Sequence, residues 1–264
     1  MVSEEKKVLD RAIFRVVQFG AHDDMLHEND RPSECKLLLE GWASRYMVLE
    51  DGRRQIVAIH IAGDFVNLQS FPLKKMDHSV GTLTTCTIAL VPHDAVREIT
   101  ANHPHLTRLL WLSTVIDAAI TRRWLLNVGR KSAHGSMVHL FCELYTRLKI
   151  VGFAEDHTFR VPVTQTEFGD CLGLSTVHTN RVLQDLRHDE LITWRGKTVR
   201  SRIGSAFNLS RNSIRPTSTL RLSRDKGGSV TGPNWAWWDE PASDWFNKRG
   251  LLMQYELPNT NYSN

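Results

Sequence analysis

Cysteine is scarce in this chain and never closely paired. Cys35, Cys86, Cys142 and Cys171 lie far apart, and none forms a CxxC motif. That argues against a disulfide framework and for reduced thiols. Long apolar runs are also missing. Nothing approaches the roughly 20 residues that span a bilayer, and the N-terminal MVSEEKKVLDR lacks the apolar core of a signal peptide. The expectation is a soluble, cytoplasmic protein with no membrane partner. No catalytic set stands out either. HExxH, GxSxG and a phosphate-cradling glycine loop are absent, and the twelve histidines are scattered, so the chain is not read as an enzyme. Charge of one sign is not dominant. A net charge of +4 permits a nucleic-acid partner without demanding one.

What is present is enough apolar material, 41% of 264 residues, for one large domain or two ordinary ones. Up to about residue 92, short apolar runs alternate with turn signals. CKLLLEG ends at Gly41, WASRYMVLEDG at Asp51–Gly52, and RRQIVAIHIAGD at Gly63–Asp64. QIVAIHI is rich in β-branched residues, and Asp-Gly between two such runs marks a hairpin. This spacing predicts an antiparallel barrel or roll.

From about Pro92 the period changes from two to between three and four. Leu106, Leu109, Leu110, Val115, Ile116, Ile120, Trp124 and Val128 form one wide apolar stripe, which predicts a helix of about 25 residues. Gly129 is read as its end. A stripe of that length favours a seam with a second copy over packing on the chain's own β domain. A second amphipathic helix comes after it in SMVHLFCELYTRLKI.

The stretch VTQTEFGDCLGLSTVHTNRVLQDL carries the clearest signal. Thr164 and Glu167 fit a capping box. Phe168, Cys171 and Leu172 come next with inward spacing, and Gly173 sits where the first helix must stop. Ser175 is placed to cap a second helix whose Val182, Leu183 and Leu186 are core-spaced. Thr176, Val177, His178, Asn180 and Arg181 are left on its outward N-terminal face. Two helices, a glycine turn and a polar leading face predict a helix-turn-helix. An α-helix fits the major groove, where Arg181 can pair with guanine and Asn180 with adenine. Hydroxyls such as Thr164 and Ser175, together with His178, suit phosphate oxygens. LITWRGKTVR then reads as strand, Gly196 turn, strand: a wing with Arg195 and Lys197 at its tip.

On these residues the chain resembles the Crp/Fnr bacterial transcription regulators. VTQTEFGDCLGLSTVHTNRVLQDLRHDELITWRGKTV resembles their winged helix, and GWASRYMVLEDGRRQIVAIHIAGDFVN their cyclic-nucleotide-binding-type β-roll. The resemblance implies an α+β fold. Residues 10–100 would form the N-terminal antiparallel β-roll, 103–130 a long dimerisation helix, 132–200 a C-terminal winged helix-turn-helix, and 201–264 an atypical tail. It implies a homodimer on double-stranded DNA at a near-palindromic site, with RNA polymerase as a further partner. Thr176, Val177, Asn180 and Arg181 would read bases; Thr164, Ser175, His178 and Lys197 would meet the backbone. In the family pattern S-x-E-T-x-x-R the arginine is kept as Arg181, but Val177 stands at the glutamate position, so the half-site should differ. The alternatives are a β-roll ligand-binding protein acting through protein contacts, and a regulator whose DNA binding is impaired by its altered C-terminus.

The resemblance leaves the effector unknown. Cyclic AMP is disfavoured because the family's glycine–glutamate pair is missing and its arginine position holds His78, before Ser79. An iron–sulfur cluster is disfavoured because only Cys35 lies in the first 80 residues. Haem is disfavoured because the candidate ligands His22, His27, His60 and His78 have blander roles as surface or packed histidines. Lys74 and Lys75 read as a solvated pair.

After Val199 the composition shifts to Ser, Asn, Arg and Gly, and Trp235, Trp237, Trp238 and Trp245 crowd together. Such a tail is expected to be disordered. Residues 201–220 admit codons that, read two nucleotides later, encode SDWKRLQSLAEFDPTYLNL. That is similar to the DW..L…AEFDP.YL ending of family chains, so the tail is read as out of frame and the wing's last strand as exposed to damage. The gene's own codons decide the point.

Overall fold

Seven strands and a short helix build the N-terminal half: β1 (Arg15–Phe19), β2 (Asp24–Leu26), β3 (Glu34–Glu40), β4 (Ala43–Val48), β5 (Arg54–His60), α2 (Ser70–Leu73), β6 (Ser79–Thr82) and β7 (Cys86–Pro92). The computed structural model describes residues 3–201, so the expectations for residues 202–264 lie outside the described residues. The strands form two antiparallel sheets, ordered β1-β7-β3 and β2-β6-β4-β5. Leu38 and Ile88 of the first sheet meet Ala43 and Val80 of the second in one buried cluster. The Asp-Gly hairpin is present: β4 pairs with β5, and Gly52 takes the positive φ of 82° that the turn requires.

A helix, α1 (Ser3–Ala12), precedes the roll, which sequence reading had not placed. Its one buried apolar residue, Leu9, packs beside Cys35 and Val96, too little of a stripe to stand out in a polar segment. Beyond the roll come α3 (His93–Asn102) and α4 (Pro104–Arg130), with Pro at the first helical position of α4 where its missing N–H costs nothing. The long helix runs through Gly129, which carries no positive φ. It ends at Lys131 because Ser132 caps the next helix, α5 (Ala133–Ile150), by accepting from Gly135 N–H.

Helix α4 is apolar on two sides. Leu106, Leu109, Leu110 and Trp124 are buried against the chain's own core. Trp111, Val115, Leu125 and Val128 face solvent, at 69%, 43%, 74% and 50% exposure. One stripe of the helix therefore packs on the chain's own core, and a second is left exposed. No helix among the described residues is long and apolar enough to cross a membrane.

The C-terminal part adds β8 (Ala154–Glu155), β9 (Thr158–Arg160), α6 (Gln165–Leu172), α7 (Thr176–His188), β10 (Ile192–Arg195) and β11 (Thr198–Ser201), the four strands forming a sheet ordered β10-β11-β9-β8. β11 is paired on both sides, with β10 through Ser201 and with β9. The wing's last strand is therefore paired as far as Ser201, the last residue described, where damage was expected next to an altered frame.

One buried cluster joins the two halves. Tyr46, Ile56, Ile59 and Ile61 of the roll lie in the same core as Trp124 of α4 and Phe141, Phe168 and Leu183 of the helical part. Inside this junction sits Arg147 of α5. It donates to Ile59 O at 2.8 Å, to Asp64 Oδ2 at 2.5 Å and to Glu143 Oε1 at 3.4 Å. Glu143 in turn accepts from Trp124 Nε1 at 2.7 Å. Burial works against ionisation of Asp64, but the Arg147 guanidinium and then His60 outweigh it and hold the carboxyl below its ordinary range. Burial raises Glu143.

His139 on α5 gives the fold a measurable acid sensitivity. Burial first, then Lys131 and Arg123, push its pKa down from 6.5 to about 4. The folded chain thus refuses a proton that the unfolded chain accepts. Stability is unaffected above pH 6.5 and falls as pH drops from 6.5 to about 4, by about 3 kcal/mol for this one group. Urea unfolding at pH 7.5 and 4.5 checks this: His139→Gln is expected to shrink the difference between the two, and an unchanged difference contradicts the assignment.

Candidate nucleic-acid interface

The segment from Thr164 to His188 is fixed by local hydrogen bonding before any tertiary contact. Glu167 N–H donates to Thr164 Oγ1 at 3.2 Å, and Thr164 N–H donates to Glu167 Oε2 at 2.7 Å, completing the capping box of α6. The Thr164 hydroxyl also donates to the same carboxylate at 2.8 Å. A phosphate would have to compete for that proton. Gly173 closes α6 with φ of 66°, its N–H bonded to Gly169 O. Ser175 accepts from His178 N–H at 3.3 Å, which leaves its own hydroxyl proton to donate.

Packing then sets the angle between the two helices. Phe168, Cys171 and Leu172 of α6 and Val182, Leu183 and Leu186 of α7 are all buried, as their spacing predicts. Phe168 and Phe141 lie 5.1 Å apart, and Trp194 of β10 sits over both at 5.2 and 5.8 Å. Full burial of one such ring is worth about 2–3 kcal/mol. Trp194 also donates to Gly196 O at 2.9 Å and thereby ties the wing turn to the helix pair.

The outward side of α7 is clear. Val177 is 80% exposed, Thr176 and Arg181 are exposed, and Asn180 and His178 are half-buried. Lys197 and Arg195 are exposed at the wing tip. Thr176, Val177, Asn180 and Arg181 therefore share one end of one helix, with Ser175 and His178 at its cap. Thr164 stands apart at the start of α6, and Lys197 on the wing. Gln184, not singled out from the sequence, is exposed one turn beyond Arg181. The spacing of three from Arg181 was the signal. Sequence reading also missed Thr179, fully buried at the crossing of the two helices with no hydrogen-bond partner for its Oγ1.

The residues weighed as effector ligands lie in different surroundings. His78 is buried, its Nδ1 2.7 Å from Asp77 and its Nε2 3.1 Å from Gln69. Burial, then Arg45, lowers its pKa, so it offers no standing positive charge. Arg45 is committed to Val66 O and to Asp117 of α4. These residues do not fit a cyclic phosphate. His60 is buried beside Asp64, while exposed His22 and His27 face Glu167 and Asp24. Cys35 is fully buried and its thiol is pushed up to about 12 by that burial. Lys74 lies over the Phe71 ring at 5.1 Å. Among the described residues no three His, Cys, Asp or Glu side chains form a group that could hold a metal ion.

Comparison with known proteins agrees with this geometry. Residues 16–103 match the cyclic nucleotide-binding domain family, and residues 123–204 match the Crp-like helix-turn-helix domain family. The transcriptional activator protein FnrL of Cereibacter sphaeroides is 28% identical over 200 residues, covering 74% of this chain and 79% of that protein. The nitrogen fixation regulation protein FixK of Bradyrhizobium diazoefficiens is 27% identical over 176 residues, 66% of this chain and 73% of that one. Among solved structures, FixK2 from Bradyrhizobium japonicum aligns with a TM-score of 0.66 at 22% identity, over 74% of this chain and 96% of that one. At that identity the structural likeness speaks for the fold.

Gly169 tests the helix crossing. A Cβ there would lie 2.7 Å from Leu174 O and 2.9 Å from Thr179 Oγ1. The first is backbone and cannot step aside. Gly169→Ala is expected to destabilise the fold by about 1–3 kcal/mol through overpacking, read as a lower urea midpoint. An unchanged midpoint would show that the crossing relaxes freely.

Proposed function

The chain belongs to the Crp/Fnr family of transcription regulators, and from that premise we propose that it binds a near-palindromic DNA site as a homodimer. Arg181 and Asn180 read base edges, with Thr176 and Val177 beside them; Thr164, Ser175, His178 and Lys197 meet the backbone. The observation that carries this reading is the leading end of α7. It projects an exposed arginine and an 80% exposed valine from a helix whose other side is wholly buried. An apolar side chain held in water at that position suits contact with a thymine methyl. The second apolar stripe of α4 supports pairing with another copy, since exposed apolar patches of this kind mark interfaces. Two α7 helices in such a dimer would enter major grooves about 34 Å apart. RNA polymerase is the expected protein partner and the cytoplasm the expected compartment.

In vitro selection from random duplexes at a stated salt concentration tests the proposal. A protein that acts only through protein contacts enriches no motif. On the enriched duplex, Arg181→Ala is expected to cost about 1–3 kcal/mol and to relax preference at one position per half-site. Lys197→Ala is expected to weaken all sequences alike and flatten the salt dependence. Equal loss on every sequence for Arg181→Ala contradicts its base-reading role.

A further inference from the structure

The first helix of the helix-turn-helix is held from outside its own domain. Arg54, the first residue of β5, places Nε 3.0 Å and Nη2 2.9 Å from Asp170 Oδ2 on α6. Its neighbour Gln55 donates from Nε2 to Cys171 O at 3.3 Å and to Ile56 O at 3.1 Å. Cys171 is in the last turn of α6, where a backbone carbonyl has no partner within the helix. Gln55 therefore caps α6 from the roll, beside the Gly173 turn that launches α7. Arg54 is itself steadied. It lies over the Tyr46 ring at 5.6 Å, and Tyr46 donates its hydroxyl to Asp24 at 2.5 Å.

We infer that Arg54 and Gln55 are positioning residues for DNA binding: they fix the rotation of the α6–turn–α7 unit against the roll. The inference rests on the proposed reading of α7. The shared apolar core and the Arg147 bonds seat α5 on the roll, but those bonds do not reach α6, and apolar contact is non-directional. Directional bonds from Arg54 and Gln55 to one carboxylate and one carbonyl of α6 then set the rotation of that helix. They grip the side of α6 away from the recognition face, which stays exposed. The clasp thus orients α7 without covering it. At 33% and 22% side-chain exposure the ion pair is shielded enough to hold its geometry.

Pose matters only when two recognition helices must fit two half-sites at once. Loosening it lowers the effective concentration of the second helix at its half-site and leaves one-site contacts unchanged. The test uses the full chain and the duplex recovered by selection, beside the same duplex with one half-site scrambled. Arg54→Ala and Asp170→Ala are each expected to weaken binding to the intact duplex about tenfold, with binding to the scrambled duplex and the urea midpoint unchanged. The charge-swapped pair, Arg54→Asp with Asp170→Arg, is expected to restore affinity for the intact duplex to within about twofold. It decides the matter if either single variant folds poorly. Equal loss on both duplexes, no loss, a gain in affinity, or a swap that fails to restore each overturns the inference. Selection that enriches no duplex with the unaltered chain defeats the reading of α7 instead.

Discussion

A buried guanidinium holds this molecule's two halves in register. Arg147 comes from the first helix of the DNA-binding part, yet two of its partners, Ile59 O and Asp64, belong to the roll. Glu143 carries the same network to Trp124 of the long helix. A charge this deep costs several kcal/mol to desolvate and persists only when well paired. The cost makes the arrangement specific. Arg147 cannot leave Asp64 without stranding a buried carboxylate, so α5 stays seated on the roll, and with it the α6–α7 pair packed on α5.

That seating divides the labour along the chain. The roll supplies the base, and within it His78 contacts Asp77 and Gln69 while Arg45 is bonded to Val66 O and Asp117. Arg45 spans from β4 to Asp117 of α4, linking roll to long helix by its own side chain. The long helix buries one stripe at home and leaves another exposed. The terminal helix pair then exposes one short polar face. Each element's inner side explains its stability, and each outer side is what the regulator has left to use.

Much of the local structure of the candidate interface was legible in the sequence because its determinants are local. The Thr164–Glu167 box, the Gly173 turn and the Ser175 cap each join groups within a few positions, and the strand–Gly196–strand wing needs only its own turn. Gln184 was equally local, one turn past Arg181, and was overlooked. The junction was not legible. Arg147 sits in a helix end rich in basic residues and reads as a solvated charge, while Asp64 lies 83 positions away. Gly129 reads as a helix stop, but a helix continues through glycine when packing on either side continues. Gly169 drew no expectation from the sequence; only the approach of Leu174 and Thr179 explains why no larger residue fits there. Local chemistry names the reading head, and long-range pairing, invisible to periodicity, decides where it points.

The proposed mode of DNA recognition depends on α7 lying in the wide groove of the duplex. Dimethyl sulfate interference on a bound duplex tests this most directly, because the reagent marks guanine N7 in the major groove and adenine N3 in the minor groove. Methylated guanines are expected to block binding in two patches about one helical turn, roughly 10 base pairs, apart. Blocking by minor-groove adenines alone, or no interference at all, would contradict a recognition helix in the major groove.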